Sequence, residues 1–406
     1  MKMENILACL MLFAMPLQAD TESEADPSFR IMIDHRVSET EYPQTALDDL
    51  ALIAEARDWS LADAKAQRKV TEILKELGRT LRAEIGDDYI GAALSPLPGQ
   101  SPTIYVKGEK QSVLEIVAEG IQVQGNAPYS LSELKSRQKQ LHGILINYGY
   151  EQIETNIDIT SGTVNATVLR FEDPRLDVLV LPASVTERLP ASLQSGVSVT
   201  IKTESFVNLD ASYGGIEIHN STHRCTTGWV VEDSSGNTGV TTAGHCPTMT
   251  EVEHWASGSH STHDVTLEGS HFGEHGDVSW YSTDSSDLAY FYFDGLANEV
   301  REVNSVEAVS DMVIGETVCV YGVASNSRDC SADIESLSAS CTYTGHGTVE
   351  NMILMDDYLT IGGDSGGGWS YANAAYGSTT GSCDDKSIFS PADNYDDAIG
   401  VTVLTQ

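Results

Sequence analysis

Basic side chains are scarce in the second half of this 406-residue chain. Residues 211–406 hold four Lys or Arg against 29 Asp or Glu, so −25 of the total charge of −37 sits there. Nucleic-acid binding needs a basic footprint, and that class is excluded. So acidic a surface suits solubility, or a salty medium in which repulsion is screened. After Lys2 and the apolar run 6–17, no stretch approaches 18 apolar residues, so no membrane span is expected. Cysteine is absent from positions 10–224. No C-x-x-C pair exists, which argues against a thiolate metal site. No histidine follows His346.

What is present begins with MKMENILACLMLFAMPLQAD. A basic residue, an apolar core and Gln18-Ala19 read as a secretory signal peptide, 1–19, cut near Ala19. The mature protein is then soluble and secreted, extracellular or periplasmic. Cys9 leaves with the signal. The other six cysteines, Cys225, Cys246, Cys319, Cys330, Cys341 and Cys383, all lie in the second half. An even number confined to one exported region implies disulfides.

The two halves differ in texture. Residues 20–209 carry helical periodicity: Ser60 and Asp63 form a capping box ahead of Ala64, Ile73, Leu74 and Leu77. Ser130 and Glu133 form a second one ahead of Leu134, Leu141, Ile144 and Leu145. Strand-like runs at 103–107, 120–123 and 164–171 make this half α+β. From about 210, short β-rich runs alternate with turn signals, at 227–231, 239–242, 277–280, 288–293, 318–321, 352–355 and 400–404. That pattern predicts an all-β region, 210–406, with SSGN at 234–237 as a hairpin turn.

TIGGDSGGGWS, 360–370, sets one serine among glycines. GDSGG fits both the G-x-S-x-G elbow of α/β-hydrolases and the serine loop of trypsin-type proteases. The elbow needs its histidine after the serine, and none follows Ser365. A base must come from upstream. His245, in TTAGHC at 241–246, ends a β-rich run beside Cys246. A disulfide from Cys225 to Cys246 would pin the hairpin that carries it, with about 3 kcal/mol of loop-closure stabilisation. A fixed imidazole is what a weak serine nucleophile needs.

TTAGHC followed by GDSGG resembles the chymotrypsin-like serine proteases, and the compact second half resembles their secreted bacterial branch, the streptogrisin and α-lytic protease type. VCVYGVASNSRDC, 318–330, looks like that branch's cysteine hairpin, which implies Cys319–Cys330. Residues 20–209, including the helix entered through DWSLADA, resemble its pro-regions. The resemblance implies two six-stranded antiparallel β-barrels of chymotrypsin type behind an α+β pro-region. It implies a zymogen and endopeptidase in which Ser365 attacks, His245 moves the proton, and an aspartate orients His245. Two aspartates compete for that place: Asp277, 32 residues after His245, fits the bacterial interval, and Asp287, at 42, suits longer relatives. The resemblance to the bacterial branch favours Asp277.

The family's oxyanion hole would use the N–H groups of Gly363 and Ser365. Its substrate-binding walls map to Leu359 and Gly362 on one side and Thr380 and Gly381 on the other, with Thr380 where a serine is usual. Leu359 stands near where trypsin-like members carry an aspartate, so no Arg- or Lys-selecting charge is expected. Cys383 fits the family's cysteine after the pocket strand, its usual partner is absent, and Cys341–Cys383 is assigned by elimination. Processing is expected near 206–213. The expected partners are protein or peptide substrates and the chain's own pro-region. No nucleic acid, membrane, metal or cofactor is expected, and the enzyme is expected to be a monomer. His271 and His275, four apart, read as loop residues because Gly273 breaks any helix. Two other readings fit the same residues: a non-catalytic homologue that binds through the fold, and an esterase on the same triad.

Overall fold

The computed structural model describes residues 42–109, 113, 117, 120–150, 152–169, 189–202, 207–209, 215–256, 259–283, 287–294 and 299–406. The expected signal peptide lies outside these residues. Of the expected processing region 206–213, only 207–209 are described.

In the first half, helix α1 (Gln44–Ala56) follows Pro43. Helix α2 (Leu61–Ile85) starts at Ser60, whose hydroxyl accepts the Asp63 N–H while the Asp63 carboxylate accepts the Ser60 N–H. Helix α3 (Leu131–Asn147) begins with the same reciprocal pair, Ser130 and Glu133. Such caps satisfy donors that a helix start leaves open, each worth about 1 kcal/mol. Val70, Leu74 and Leu81 of α2 are buried against a small sheet through Tyr89, Ile104 and Val106. Leu134, Leu141 and Leu145 of α3 pack on the strands Ile153–Asp158 and Thr163–Leu169.

The second half is all-β, in two antiparallel bodies as expected. One sheet has eight strands, in the order Val401–Val403, Val230–Asp233, Thr238–Thr242, Gly276–Thr283, Ser259–Gly273, Glu251–Ala256, Glu217–His219, Arg224–Thr226. The other has twelve, of which a run of seven from Ser327–Asp329 to Ile334–Tyr343 belongs to the second half. The sheets thus carry eight strands and a run of seven where six each were expected; the first includes the C-terminal strand and the hairpin 217–226, the second the hairpin closed by Cys319–Cys330. The strand expected from Thr227 begins at Val230. Before it, Gly228 is wedged in the molecular centre, where a Cβ would lie 2.7 Å from the Gly366 carbonyl oxygen. All three expected disulfides are formed, Cys225–Cys246, Cys319–Cys330 and Cys341–Cys383.

The halves share one core and one sheet. Ala46, Leu50 and Ile53 of α1 are buried with Val318, Trp369 and Phe389 of the second half. Strand Ile153–Asp158 pairs antiparallel with Ile334–Tyr343, Glu154 opposite Cys341. The seam is also charged. Asp49, fully buried, accepts from Arg301 (2.9 Å) and from both Nε and Nη2 of Arg328 (2.8 and 2.9 Å). In return Arg68 and Lys75 of α2 each reach buried Glu316 at 2.7 Å, and Arg79 and Arg82 each reach Asp311 at 2.7 Å. Burial works to raise the Glu316 carboxyl, but Lys75 and Arg68 hold it below its ordinary value.

Candidate functional site

The site forms where the two sheets meet. His245 follows strand Thr238–Thr242 in the turn closed by the Cys246 N–H to Ala243 carbonyl bond (3.2 Å). The residue before it must be glycine: a Cβ on Gly244 would lie 2.1 Å from the His271 carbonyl oxygen and 3.0 Å from Asp277 Oδ1. That close approach brings the His245 backbone onto strand Gly276–Thr283. The His245 N–H donates to Asp277 Oδ1 (2.7 Å), and Nδ1 lies 2.6 Å from Asp277 Oδ2. Nε2 lies 3.0 Å from Ser365 Oγ. A carboxylate is acceptor-only, so Nδ1 carries the proton and Nε2 is left to accept from the serine hydroxyl. Asp277 and Ser365 are wholly buried, which keeps water from competing for these bonds.

Asp287, the rival aspartate, accepts from Thr238 Oγ1 (2.9 Å) and Thr283 Oγ1 (2.8 Å) instead. It fastens two strand ends of the first sheet.

Ser365 is presented by a tight loop. Gly363 and Gly366 have φ of +122° and +89°, values that side-chain-bearing residues rarely adopt. A Cβ on Gly366 would stand 2.1 Å from the Thr226 carbonyl oxygen. Asp364 braces the loop from within: its Oδ2 accepts the Ile361 N–H (3.0 Å) and its Oδ1 the Ser325 N–H (3.1 Å). Burial pushes its carboxyl up, and those backbone donors counter the shift. The Gly367 N–H donates to the Asp364 carbonyl (2.8 Å). Because the N–H of a trans peptide points opposite its carbonyl, the Ser365 N–H faces away from that turn.

Of the expected substrate walls, Leu359 is half-buried and donates its N–H to Ser387 Oγ (2.9 Å). Gly362 is exposed. Thr380 and Gly381 lie on strand Ala374–Cys383, Thr380 fully buried with Oγ1 3.3 Å from Ser390 Oγ. Strand Val207–Leu209 pairs antiparallel with the end of that strand, Leu209 opposite Gly381.

Two contributors were not singled out from the sequence. Ser390 Oγ accepts the Asp277 N–H (2.8 Å), tying Asp277 to the second sheet. Thr226 donates its N–H to the Ser365 carbonyl (2.6 Å) and its hydroxyl to the Gly363 carbonyl (3.0 Å). Adjacency to Cys225 was the only sequence signal for Thr226, and Ser390 had none. Of the two histidines expected in a loop, His271 lies instead on strand Ser259–Gly273, paired with Val278, and His275 sits in the turn after it; His271 Nε2 accepts the His275 N–H (3.1 Å). No described helix is long and apolar enough to cross a membrane.

No protein-family model matches the chain, and no curated protein matches it. Among solved structures it is similar to a Nocardiopsis protease, at 19% identity and a TM-score of 0.35, over 48% of this chain and 100% of that one. It is similar to Cellulomonas bogoriensis chymotrypsin at 24% identity and a TM-score of 0.36, over 48% and 100%. An alpha-lytic protease homologue gives 17% and 0.37, over 47% and 98%. At these identities and TM-scores the site's own geometry has to carry the functional reading.

Proposed function

We propose that this chain is a secreted serine endopeptidase made as a zymogen. The observation that carries the reading is one imidazole bridging a buried carboxylate at 2.6 Å and a serine hydroxyl at 3.0 Å. In the proposed mechanism Ser365 Oγ attacks the scissile carbonyl carbon while His245 Nε2 takes its proton. Asp277 keeps the tautomer and stabilises the imidazolium without being protonated. The N–H groups of Gly363 and Ser365 hold the oxyanion, a contribution of about 3 kcal/mol per donor. His245 then protonates the leaving amine, the acyl-enzyme forms, and water attacks it with His245 again as base.

Residues 20–209 act as a pro-region, removed within 206–213. Supporting this, strand Val207–Leu209 runs antiparallel to Gly381–Cys383 on the strand proposed to bind substrate. An exported destination is supported by three disulfides, which need an oxidising compartment, and it fits the signal peptide expected from the sequence.

The test is labelling with a serine-reactive fluorophosphonate. Wild type is expected to label and Ser365→Ala not to; equal labelling overturns the catalytic reading. Casein cleavage compared with short acyl esters separates a peptidase from an esterase, and a peptide-library digest defines the preferred residue.

A further inference from the structure

Within the serine loop, the peptide joining Gly362 to Gly363 is the least constrained. Glycines flank it, Gly363 at φ +122°. Among the described residues no backbone hydrogen bond engages it, whereas Asp364 N–H bonds the Ile361 carbonyl and Gly366 N–H bonds the Thr379 carbonyl. That peptide carries the Gly363 N–H, one of the two proposed oxyanion donors. A glycine-flanked peptide can turn over at little cost, and an oxyanion donor facing the wrong way contributes nothing. Something must therefore fix Gly363 from its C-terminal side.

Thr226 is that contact. It is fully buried at the end of strand Arg224–Thr226 in the sheet opposite the loop. Its hydroxyl donates to the Gly363 carbonyl at 3.0 Å and its N–H to the Ser365 carbonyl at 2.6 Å. One residue thus staples two carbonyls of the loop. Its neighbour Cys225 is bonded to Cys246, which follows His245. The disulfide ties the staple to the base, so the oxyanion loop and the imidazole share one anchor.

We propose that Thr226 is a positioning residue for the oxyanion hole, its hydroxyl keeping the Gly363 N–H turned toward the substrate oxygen. The inference rests on the endopeptidase reading. Losing an oxyanion donor outright costs about 10²–10³ in kcat. Loosening one is expected to cost about 10- to 100-fold.

The test compares wild type, Thr226→Val, Thr226→Ser and Ser365→Ala on one peptide substrate. Thr226→Val keeps the shape and removes the hydroxyl. It is expected to lower kcat about 10- to 100-fold with KM within about twofold. Its affinity for a peptide aldehyde, whose hemiacetal oxygen occupies the same hole, should fall by a similar factor. The midpoint of the acid limb of kcat/KM should not move, because His245 and Asp277 are untouched. Thr226→Ser restores the donor and should recover kcat to within about threefold. If the valine variant does not fold, Thr226→Ala replaces it, with the same kcat-specific loss expected. Valine or alanine variants with wild-type kcat and aldehyde affinity overturn the proposal. So does a loss that serine does not rescue. Absence of Ser365-dependent hydrolysis in wild type instead overturns the endopeptidase reading.

Discussion

The two halves are built on opposite plans. Residues 42–202 form helices and small sheets from local signals and contribute most of the cations at the seam. Residues 215–406 form long-range β pairings stapled by three disulfides and contribute most of the anions and every residue of the proposed triad. The contrast teaches that chemistry and docking are separable: the site should be sensitive to changes in the second half alone, the seam to changes in either.

The largest effect expected follows from the chemical side. Ser365→Ala should lower turnover by about 10⁶-fold, the scale for removing a nucleophile, measured by peptide hydrolysis. Next, Asp277→Asn should cost about 10⁴-fold through the wrong tautomer, while Asp287→Asn should change kcat by less than about threefold. Reversal of those two would transfer the orienting role to Asp287.

On the docking side the expected effects are smaller and structural. Asp49→Ala leaves Arg301 and Arg328 buried without their carboxylate. Breaking a buried pair costs about 3–5 kcal/mol, seen as a lower urea midpoint of full-length Ser365→Ala protein. A loss below about 1 kcal/mol would mean that the seam does not depend on this aspartate.

The smallest expected effect concerns Glu154. Burial lifts its carboxyl to about 7, with Asn156 countering and Asp384 of the second half adding to the rise. A folded-state pKa above the unfolded one gives stability that is complete below about 4.5 and gone above about 7. Stability of the full chain should therefore fall by up to about 3 kcal/mol as pH rises across that window. In Glu154→Gln the slope should flatten, and an unchanged slope would remove Glu154 as its cause.

Legibility in the sequence followed the same division. The capping boxes at Ser60 and Ser130 were readable because both partners lie within four residues. His245 and Ser365 were readable because short motifs surround them. Asp277 and Asp287 were not separable by residue type, since both enter a β-rich run; what separates them is the fold around Gly244. Ser390 and Asp49 were invisible, and Thr226 was marked only by its neighbour Cys225, because their partners lie 113, 279 and 137 residues away. Each looks like an ordinary polar residue until the chain closes.

The seam also has a consequence for the medium. Arg57, Arg68, Lys75, Arg79, Arg82 and Lys139 are counter-ions carried on the same chain, each set against a carboxylate of the second half. Cutting the tether would hand that neutralisation to dissolved cations. A half with 29 acidic and four basic side chains would then treat ionic strength as a structural component. Its melting temperature, once separated, should climb as added salt shortens the screening length from about 10 Å toward about 3 Å.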